Sequence, residues 1–587
     1  MSNKDKEKKT IKNSTYSDFK RHFVQYRRVV FVLGIIVGAV ITGIFIKRSN
    51  IVDFDWDFLL GFTDIGDFME ELRNILPASV FDDAKKLSYY DKDSDYEAFF
   101  VGNRLREQGY KPHFKYSFCF FFCLIVFSVI IVPGVISTGL ESWSTSNCSL
   151  PYFRKRLWGS WTMLRAMLMD KKCWVSQLML NETTGLDPEG VKLRAAQGLS
   201  AADFFVTGYW IWNKIIENLA AIGYDPNNMF SAAYDWRLSF LNLEERDHYF
   251  TKLKSSIEIA KATFGKKSVI ISHSMGSQLT LWFLKWVEAD GYGNGGKSWV
   301  NDHIEAFINI SGSLLGTPKA VTALLSGEVK DTTQLNAISV YGLERFFSKS
   351  ERVQLLRSLP GIASMLPKGE NVIWGNATWA PDDLYIPNIY NLSFGSFINF
   401  RKNSKTSIIK NLTMYDSMDY LISQTSHTFH KMLSTNYSHE KWINPLEVFY
   451  VDFFLCLTRI RYWQAYRKSL LADLCDCINN TMGIFSDPDI FGQTPFIDNT
   501  VNIKPYTEKG VVMGEGDGTV NILSTGFMCV KGWKQRRYNP ANISVIVHEM
   551  LHQPDRHGLR GGSKTADHVD ILGRSELNVS VLSFMFF

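Results

Sequence analysis

Residues 269–286, "VIISHSMGSQLTLWFLKW", join a β-branched run, a cluster of small residues and an apolar pattern at helical spacing. This order predicts a buried strand, a tight turn and a helix. In such an elbow the central residue sits on a strained turn, and the residues two positions away on each side must be small so that the backbones can pass. Ser272 and Gly276 flank Ser274 in that way. Five residues of pattern alone are a weak signal in a long chain. The strand before it and the helix N-terminus after it, whose amides can face an anion, make Ser274 the candidate nucleophile.

A serine hydroxyl is a poor nucleophile until a base takes its proton, and that base needs a carboxylate to hold its tautomer. In the strand–elbow–helix arrangement both partners follow the serine in the chain. "KGVVMGEGDGTV" (509–520) reads as a strand entering a glycine-flanked turn that presents Asp517 at the sheet edge. A turn aspartate without partners would carry no chemistry. The later histidines are His548, His552, His557 and His568. "HEMLH" (548–552) spells a zinc-protease pattern, which works only on a helix. The β-branched "NISVIV" before it and Pro554 after it leave little room for one, so no metal is expected. His568, in "GGSKTADHVDILG", sits on a loop before an apolar segment, and spacing alone prefers it to His552 only modestly.

Strands separated by helix-length segments extend around this elbow. "SVIIV" before Pro133-Gly134, "MFSAAYDWR" (229–237) with its exit loop, and "HIEAFINISG" read as strands; "ERDHYFTKLKSSIEIAKATFG" reads as one amphipathic helix ending at Gly265. The fold class expected is α/β, with a parallel sheet and crossover helices. Residues 320–445, rich in Asn, Ser, Trp and Pro, are expected to form a cap over that sheet. The length of 587 residues accommodates one large domain with insertions, or two domains. A dispersed net charge of +5 excludes a nucleic-acid footprint.

Residues 1–28 carry nine Lys or Arg against three acids and precede eighteen uncharged residues at 29–46. That run is long enough to span a bilayer. A signal peptide would have a shorter apolar region and a small-residue cleavage site, whereas Lys47 and Arg48 follow here. The expectation is a cytosolic basic tail, a single-pass type II anchor at 29–46, a juxtamembrane arm at 47–115 and a catalytic domain at 116–587 in the lumen of the secretory pathway. Asn-x-Ser/Thr acceptors at Asn147, Asn181, Asn376, Asn391, Asn411, Asn436, Asn479, Asn542 and Asn578 agree with a lumen. Cys148 and Cys173 bracket a Trp- and Arg-rich stretch and are plausible disulfide partners there, the rival being two unpaired thiols.

"VPGVISTGLESW" (132–143), "YDWR" (234–237), "SHSMGSQ" (272–278), "GEGDGTV" (514–520), "RYNPA" (537–541) and "TADHVDILGR" (565–574) together resemble the phospholipid:diacylglycerol acyltransferases. These are relatives of lecithin:cholesterol acyltransferase and lysosomal phospholipase A2. The resemblance covers most of 130–447 and 496–577. It implies an α/β-hydrolase fold, a triad of Ser274, Asp517 and His568, and an oxyanion hole from the backbone N–H groups of Val135 and Met275. It further implies a lid at about 148–173 closed by Cys148 and Cys173, with Trp161 on it, and Trp143 as a pocket wall. The implied reaction moves an acyl group from a membrane phospholipid to diacylglycerol through a Ser acyl-enzyme, without cofactor, metal or acyl-CoA, at the endoplasmic reticulum membrane. The rivals are a phospholipase A or lysophospholipase, in which water resolves the same intermediate, and a catalytically dead lipid-binding protein. Oligomeric state is not legible. Segments 116–127, 448–490 and 579–587 depart from the family pattern, and the abrupt return of motif quality after each internal one has the character of read-through introns or frame changes. A second disulfide at Cys529 would need a partner among Cys456, Cys475 and Cys477.

Overall fold

The strand that carries the elbow, β8 (Ser268–His273), is buried along its whole length. It pairs in parallel with β1 (Ser128–Val132) on one side and β9 (Ile304–Ile310) on the other. In the computed structural model the described residues are 127–329, 343–401, 408–435, 453–458, 465–470, 497 and 507–585, with short gaps, beside a few positions at 101–107. The anchor at 29–46, the basic tail, nearly all of the arm and residues 116–126 lie outside them. Among the described residues no helix is long and apolar enough to cross a membrane.

Six parallel strands run in the order β16-β12-β9-β8-β1-β7, with β7 at Met229–Ser231, β12 at Phe453–Thr458 and β16 at Ser544–Glu549. Alternate side chains of the central strands enter two apolar clusters: Ile130, Val132, Ile270 and Phe307 one, Val129, Ile131, Val269, Ile271 and Ile308 the other. A sheet covered on both faces needs near-continuous apolar strands, which is why "SVIIV" and "SVIIS" read as they do. The first cluster takes in residues of α5 (Tyr249–Phe264) and α6 (Met275–Glu288); the second takes in residues of α3 (Asn213–Ala221) and α8 (Ser575–Phe584).

The chain goes from β1 outward to β7, then returns to β8 on the other side of β1. The carboxyl ends of β1 and β8 therefore flank the point where strand order reverses, the place where open α/β sheets hold ligands.

Several sequence expectations need correction or extension. The helix expected over the "ERDHYF…ATFG" stretch is two, α4 (Phe240–Asp247) and α5, because His248 takes a left-handed conformation (φ 50°) and the Glu244 carboxylate accepts the N–H groups of Phe250 and Thr251. Its end at Gly265 is as expected, with φ 66°. Asp517 does not come from the main sheet: β15 (Val511–Gly514) lies in a second sheet of order β11-β10-β13-β15-β14, with β10 at Ile398–Arg401, β11 at Ile408–Leu412, β13 at Ala465–Leu470 and β14 at Thr507–Glu508. The 448–490 segment supplies β12, in register between β9 and β16. The described part of the tail, residues 579–585, belongs to the core, with Val581, Leu582 and Met585 buried beside Leu577. Asn578 is buried too, donating to the carbonyls of Leu572 and Arg574, so that acceptor is closed to modification in the folded chain.

Cys148 and Cys173 are bonded. What they enclose is folded rather than a loop: β3 (Arg156–Trp158), α1 (Trp161–Met169) and the start of α2 (Lys171–Leu178). Strand β3 joins β2 (Leu140–Ser142) and β4 (Leu193–Ala195) in a small antiparallel sheet. Cys529, on α7 (Ile522–Val530), is likewise disulfide-bonded. The side chains of Cys456, Cys475 and Cys477 fall outside the described residues.

Candidate active site

Ser274 follows β8 directly, with φ 57° and ψ −126°. Such a backbone is costly for a residue with a Cβ and persists only where its surroundings enforce it. Its N–H donates to the Ile310 carbonyl, and its own carbonyl accepts from Ser277 and Ser313. The smallness of Gly276 is required: a Cβ there would lie 2.4 Å from the Pro133 carbonyl oxygen and 2.5 Å from that of Val132. Ser272, the other flank, is buried with its Oγ 3.0 Å from Ser277 Oγ.

The Ser274 hydroxyl donates to His568 Nε2 at 2.8 Å, and His568 Nδ1–H donates to Asp517 Oδ2 at 2.6 Å. A backbone bond from His568 N–H to the Asp517 carbonyl, 2.8 Å, ties the two loops together. Asp517 Oδ1 accepts from the N–H groups of Thr519 and Val520. Burial pushes the Asp517 carboxyl upward, but the His568 charge and these hydrogen bonds outweigh it and hold the group below the ordinary carboxylate range. The spacing argument left His552 open; its Nδ1 accepts from Ala566 N–H, and it is His568 that meets Ser274.

The N–H groups of Val135 and Met275 donate to no group among the described residues. The loop that carries Val135 abuts Ser274, since a Cβ on Gly134 would lie 2.8 Å from Ser274 Cβ. Two free amides beside a serine, one of them at a helix N-terminus, can face the oxygen of a tetrahedral intermediate.

Trp143 and Trp161 are 41% and 50% exposed, which makes both surface rather than core residues. Trp143 packs edge-on against Phe153 under the Arg154 guanidinium, and Trp161 opens α1. No group of three or more His, Cys, Asp or Glu is placed to hold a metal among the described residues. Residues of "HEMLH" lie on and after a strand, as the β-branched run predicts.

Sequence reasoning missed His273, inside the elbow itself. Its Nε2–H donates to the His568 carbonyl at 2.7 Å, and the two rings lie 4.7 Å apart. Burial first, and then the neighbouring imidazole, lower its pKa to about 3, so it is neutral at physiological pH. It missed Arg560 as well, which lies over the rings of Tyr209 and Trp210 and pairs with Asp570, two residues past His568. "YDWR" turned out to be a brace. The fully buried Arg237 pairs with Asp235 at 2.7 Å and donates to the carbonyls of Gln177 and Leu178 at the end of α2, and of Leu193. Arg246 completes the cluster through Asp235 and Asp187.

The lecithin:cholesterol acyltransferase family model matches residues 152–451 and 488–575. A phospholipid:diacylglycerol acyltransferase of Schizosaccharomyces pombe is 49% identical over 578 residues, covering 95% of this chain and 86% of that protein. One of Saccharomyces cerevisiae is 42% identical over 594 residues, covering 95% and 84%. A human lysosomal phospholipase A and acyltransferase is 25% identical over 280 residues, covering 44% and 59%.

Proposed function

This chain belongs to the lecithin:cholesterol acyltransferase family, and from that membership and the geometry around Ser274 we infer that it is a phospholipid:diacylglycerol acyltransferase with an α/β-hydrolase fold. The observation that carries the chemistry is the unbroken relay from Ser274 Oγ through the His568 ring to the Asp517 carboxylate.

Ser274 Oγ attacks the ester carbonyl of a membrane phospholipid while His568 Nε2 takes the hydroxyl proton. The imidazolium that forms is stabilised by Asp517, and the oxyanion by the N–H groups of Val135 and Met275. Collapse breaks the acyl–oxygen bond, His568 returns the proton to the leaving lysophospholipid, and the acyl group stays on Ser274. The free hydroxyl of diacylglycerol then gives its proton to His568 and attacks the acyl-enzyme. Triacylglycerol leaves, and Ser274 recovers its proton. The phospholipid supplies the acyl group and His568 carries each proton, so the reaction as written draws on neither acyl-CoA nor a metal.

The exposed Trp143 and Trp161 suit a surface that meets lipid, since an indole is apolar in body and polar at its N–H. The anchor expected at 29–46 would hold the domain, with its lid near 148–173 and cap near 320–445, on the luminal side of the endoplasmic reticulum membrane. The test follows labelled acyl groups of phosphatidylethanolamine in membranes that contain the full chain, with diacylglycerol and without acyl-CoA, beside Ser274→Ala. Label in triacylglycerol that disappears in the variant is the expected result. Label in free fatty acid alone would make the protein a phospholipase, and no difference between the two chains would remove Ser274 from the chemistry.

A further inference from the structure

The Val135 N–H belongs to a turn whose conformation its own sequence does not favour. Ser137 N–H donates to the Gly134 carbonyl at 3.3 Å, closing a four-residue turn whose third residue, Ile136, has φ 58°. That is the position where a turn with positive φ asks for glycine, and a β-branched residue is the least suited to it. The Ile136 side chain is 45% exposed, so packing does not force the conformation.

Hydrogen bonds from two tryptophans do hold the segment. Trp158 Nε1–H donates to the Ile136 carbonyl at 2.9 Å, and Trp236 Nε1–H donates to the Thr138 carbonyl at 3.2 Å. Their rings pack on each other at 5.0 Å, and Trp158 is flanked by Trp174 and Phe205. The carbonyl just before them in the turn, that of Val135, accepts from Ser137 Oγ. Because a peptide group is planar, fixing the Gly134 carbonyl fixes the opposed N–H of Val135, and fixing Ile136 keeps that turn closed.

We propose that Trp158 and Trp236 are positioning residues, an indole pair that holds Ile136 in a glycine-like conformation and so aims the Val135 N–H at the oxyanion. Trp158 lies on β3, inside the Cys148–Cys173 segment, and Trp236 in the "YDWR" brace, so two separate segments set the second amide of the hole. The inference rests on the reading of Ser274 as nucleophile.

Trp158→Phe keeps a ring in the cluster and deletes the N–H. Removing a whole oxyanion donor costs about 100- to 1000-fold in kcat, so misaiming one should lower kcat roughly 10- to 100-fold. The phospholipid KM should stay, and the affinity of an acyl trifluoromethyl ketone, whose adduct with serine carries the oxyanion, should fall by the same factor as kcat. Ile136→Gly added to Trp158→Phe should recover kcat to within a few-fold of the parent, because glycine accepts positive φ without a clamp. Thermal unfolding of each variant accompanies the kinetics, and Trp236→Phe repeats the test at the other carbonyl should Trp158→Phe fail to fold. An unchanged kcat would overturn the proposal. So would a loss of kcat without loss of ketone affinity or glycine rescue, which would make the indole a packing residue. Lysophospholipid release is the readout, so a wild-type chain that hydrolyses instead of transferring would refute the transferase reading and still report on the clamp. No Ser274-dependent release at all would refute both.

Discussion

Ser274 and its hydrogen-bonded partners are built differently. Ser274 is delivered by one continuous piece of chain, β8, elbow and α6, between strands hydrogen-bonded on both sides. Asp517 and His568 arrive on two loops, and long-range tethers place them: the Asp517 carbonyl to His568 N–H, His273 Nε2 to the His568 carbonyl, and Arg560 across Tyr209, Trp210 and Asp570. The serine cannot move without breaking the sheet, whereas the histidine side is held by one backbone hydrogen bond and otherwise by replaceable side chains. Catalysis should therefore be tunable on the second side without unfolding.

The largest effect tests whether the two sides act as one unit. Ser274→Ala and His568→Asn should each lower kcat by about 10⁴-fold or more, and the double variant should lose no further. Asp517→Asn should cost about 10⁴-fold by leaving the imidazole without its partner. Losses that multiply in the double variant would separate the sides into independent devices.

A second effect falls on stability. Asp235 and Arg237 form a buried pair, and Arg237→Met leaves a buried carboxylate short of a partner, at about 3–5 kcal/mol in denaturant unfolding. Burial opposes ionisation of Asp235, but Arg237 and Arg246 hold its carboxyl well below the ordinary range. A depressed carboxyl contributes stability that is present above the unfolded pKa near ~4 and lost as pH falls below it. The Arg237→Met chain should show a shallower acid limb; an equally steep one would assign acid sensitivity elsewhere.

His273→Phe probes the weaker side most directly. The ring volume stays while the donor to the His568 carbonyl goes, so kcat should fall about tenfold, the scale of one hydrogen bond's worth of misplacement. His273 has a folded pKa of about 3 against an unfolded value near ~6.5. Its neutral form stabilises the fold fully above that unfolded value, and the stabilisation is lost as pH falls toward the folded one. The variant should therefore lose part of its acid sensitivity in that window while the pH–rate profile near neutrality keeps its shape. A kcat equal to the parent's would mean that the other tethers suffice.

This contrast explains what was legible. Strands β1, β8 and β9 showed as β-branched runs, and the elbow as small residues between a strand and a helix, because their constraints are local. The break at His248 did not show, since a histidine in left-handed backbone leaves no periodic signal. Nor did the second sheet behind Asp517, whose pairing joins segments far apart in the chain. The choice of His568 came from resemblance to a family, where spacing left His552 standing. Trp158 and Trp236 were visible only as members of Trp-bearing motifs, because an indole N–H that reaches a distant carbonyl is a tertiary fact.

The smallest effect concerns the motif that competed for the histidine. "HEMLH" can bind zinc only if both rings share a helical face, and β16 ends at Glu549 inside the motif. The two rings then serve different neighbours: His548 Nδ1 accepts from Ser580 Oγ at 2.7 Å, and His552 Nδ1 accepts from Ala566 N–H at 3.0 Å. Treatment with a chelator should leave both acyl transfer and the unfolding midpoint unchanged. His548→Ala, on a half-exposed ring, should shift stability by less than about 1 kcal/mol, and His552→Ala by about 1 kcal/mol, because it frees an amide two residues before His568. Inactivation by a chelator, reversed by zinc and abolished in both histidine variants, would mean that the strand gives way to a helix in the working enzyme and that the histidine side carries a metal after all.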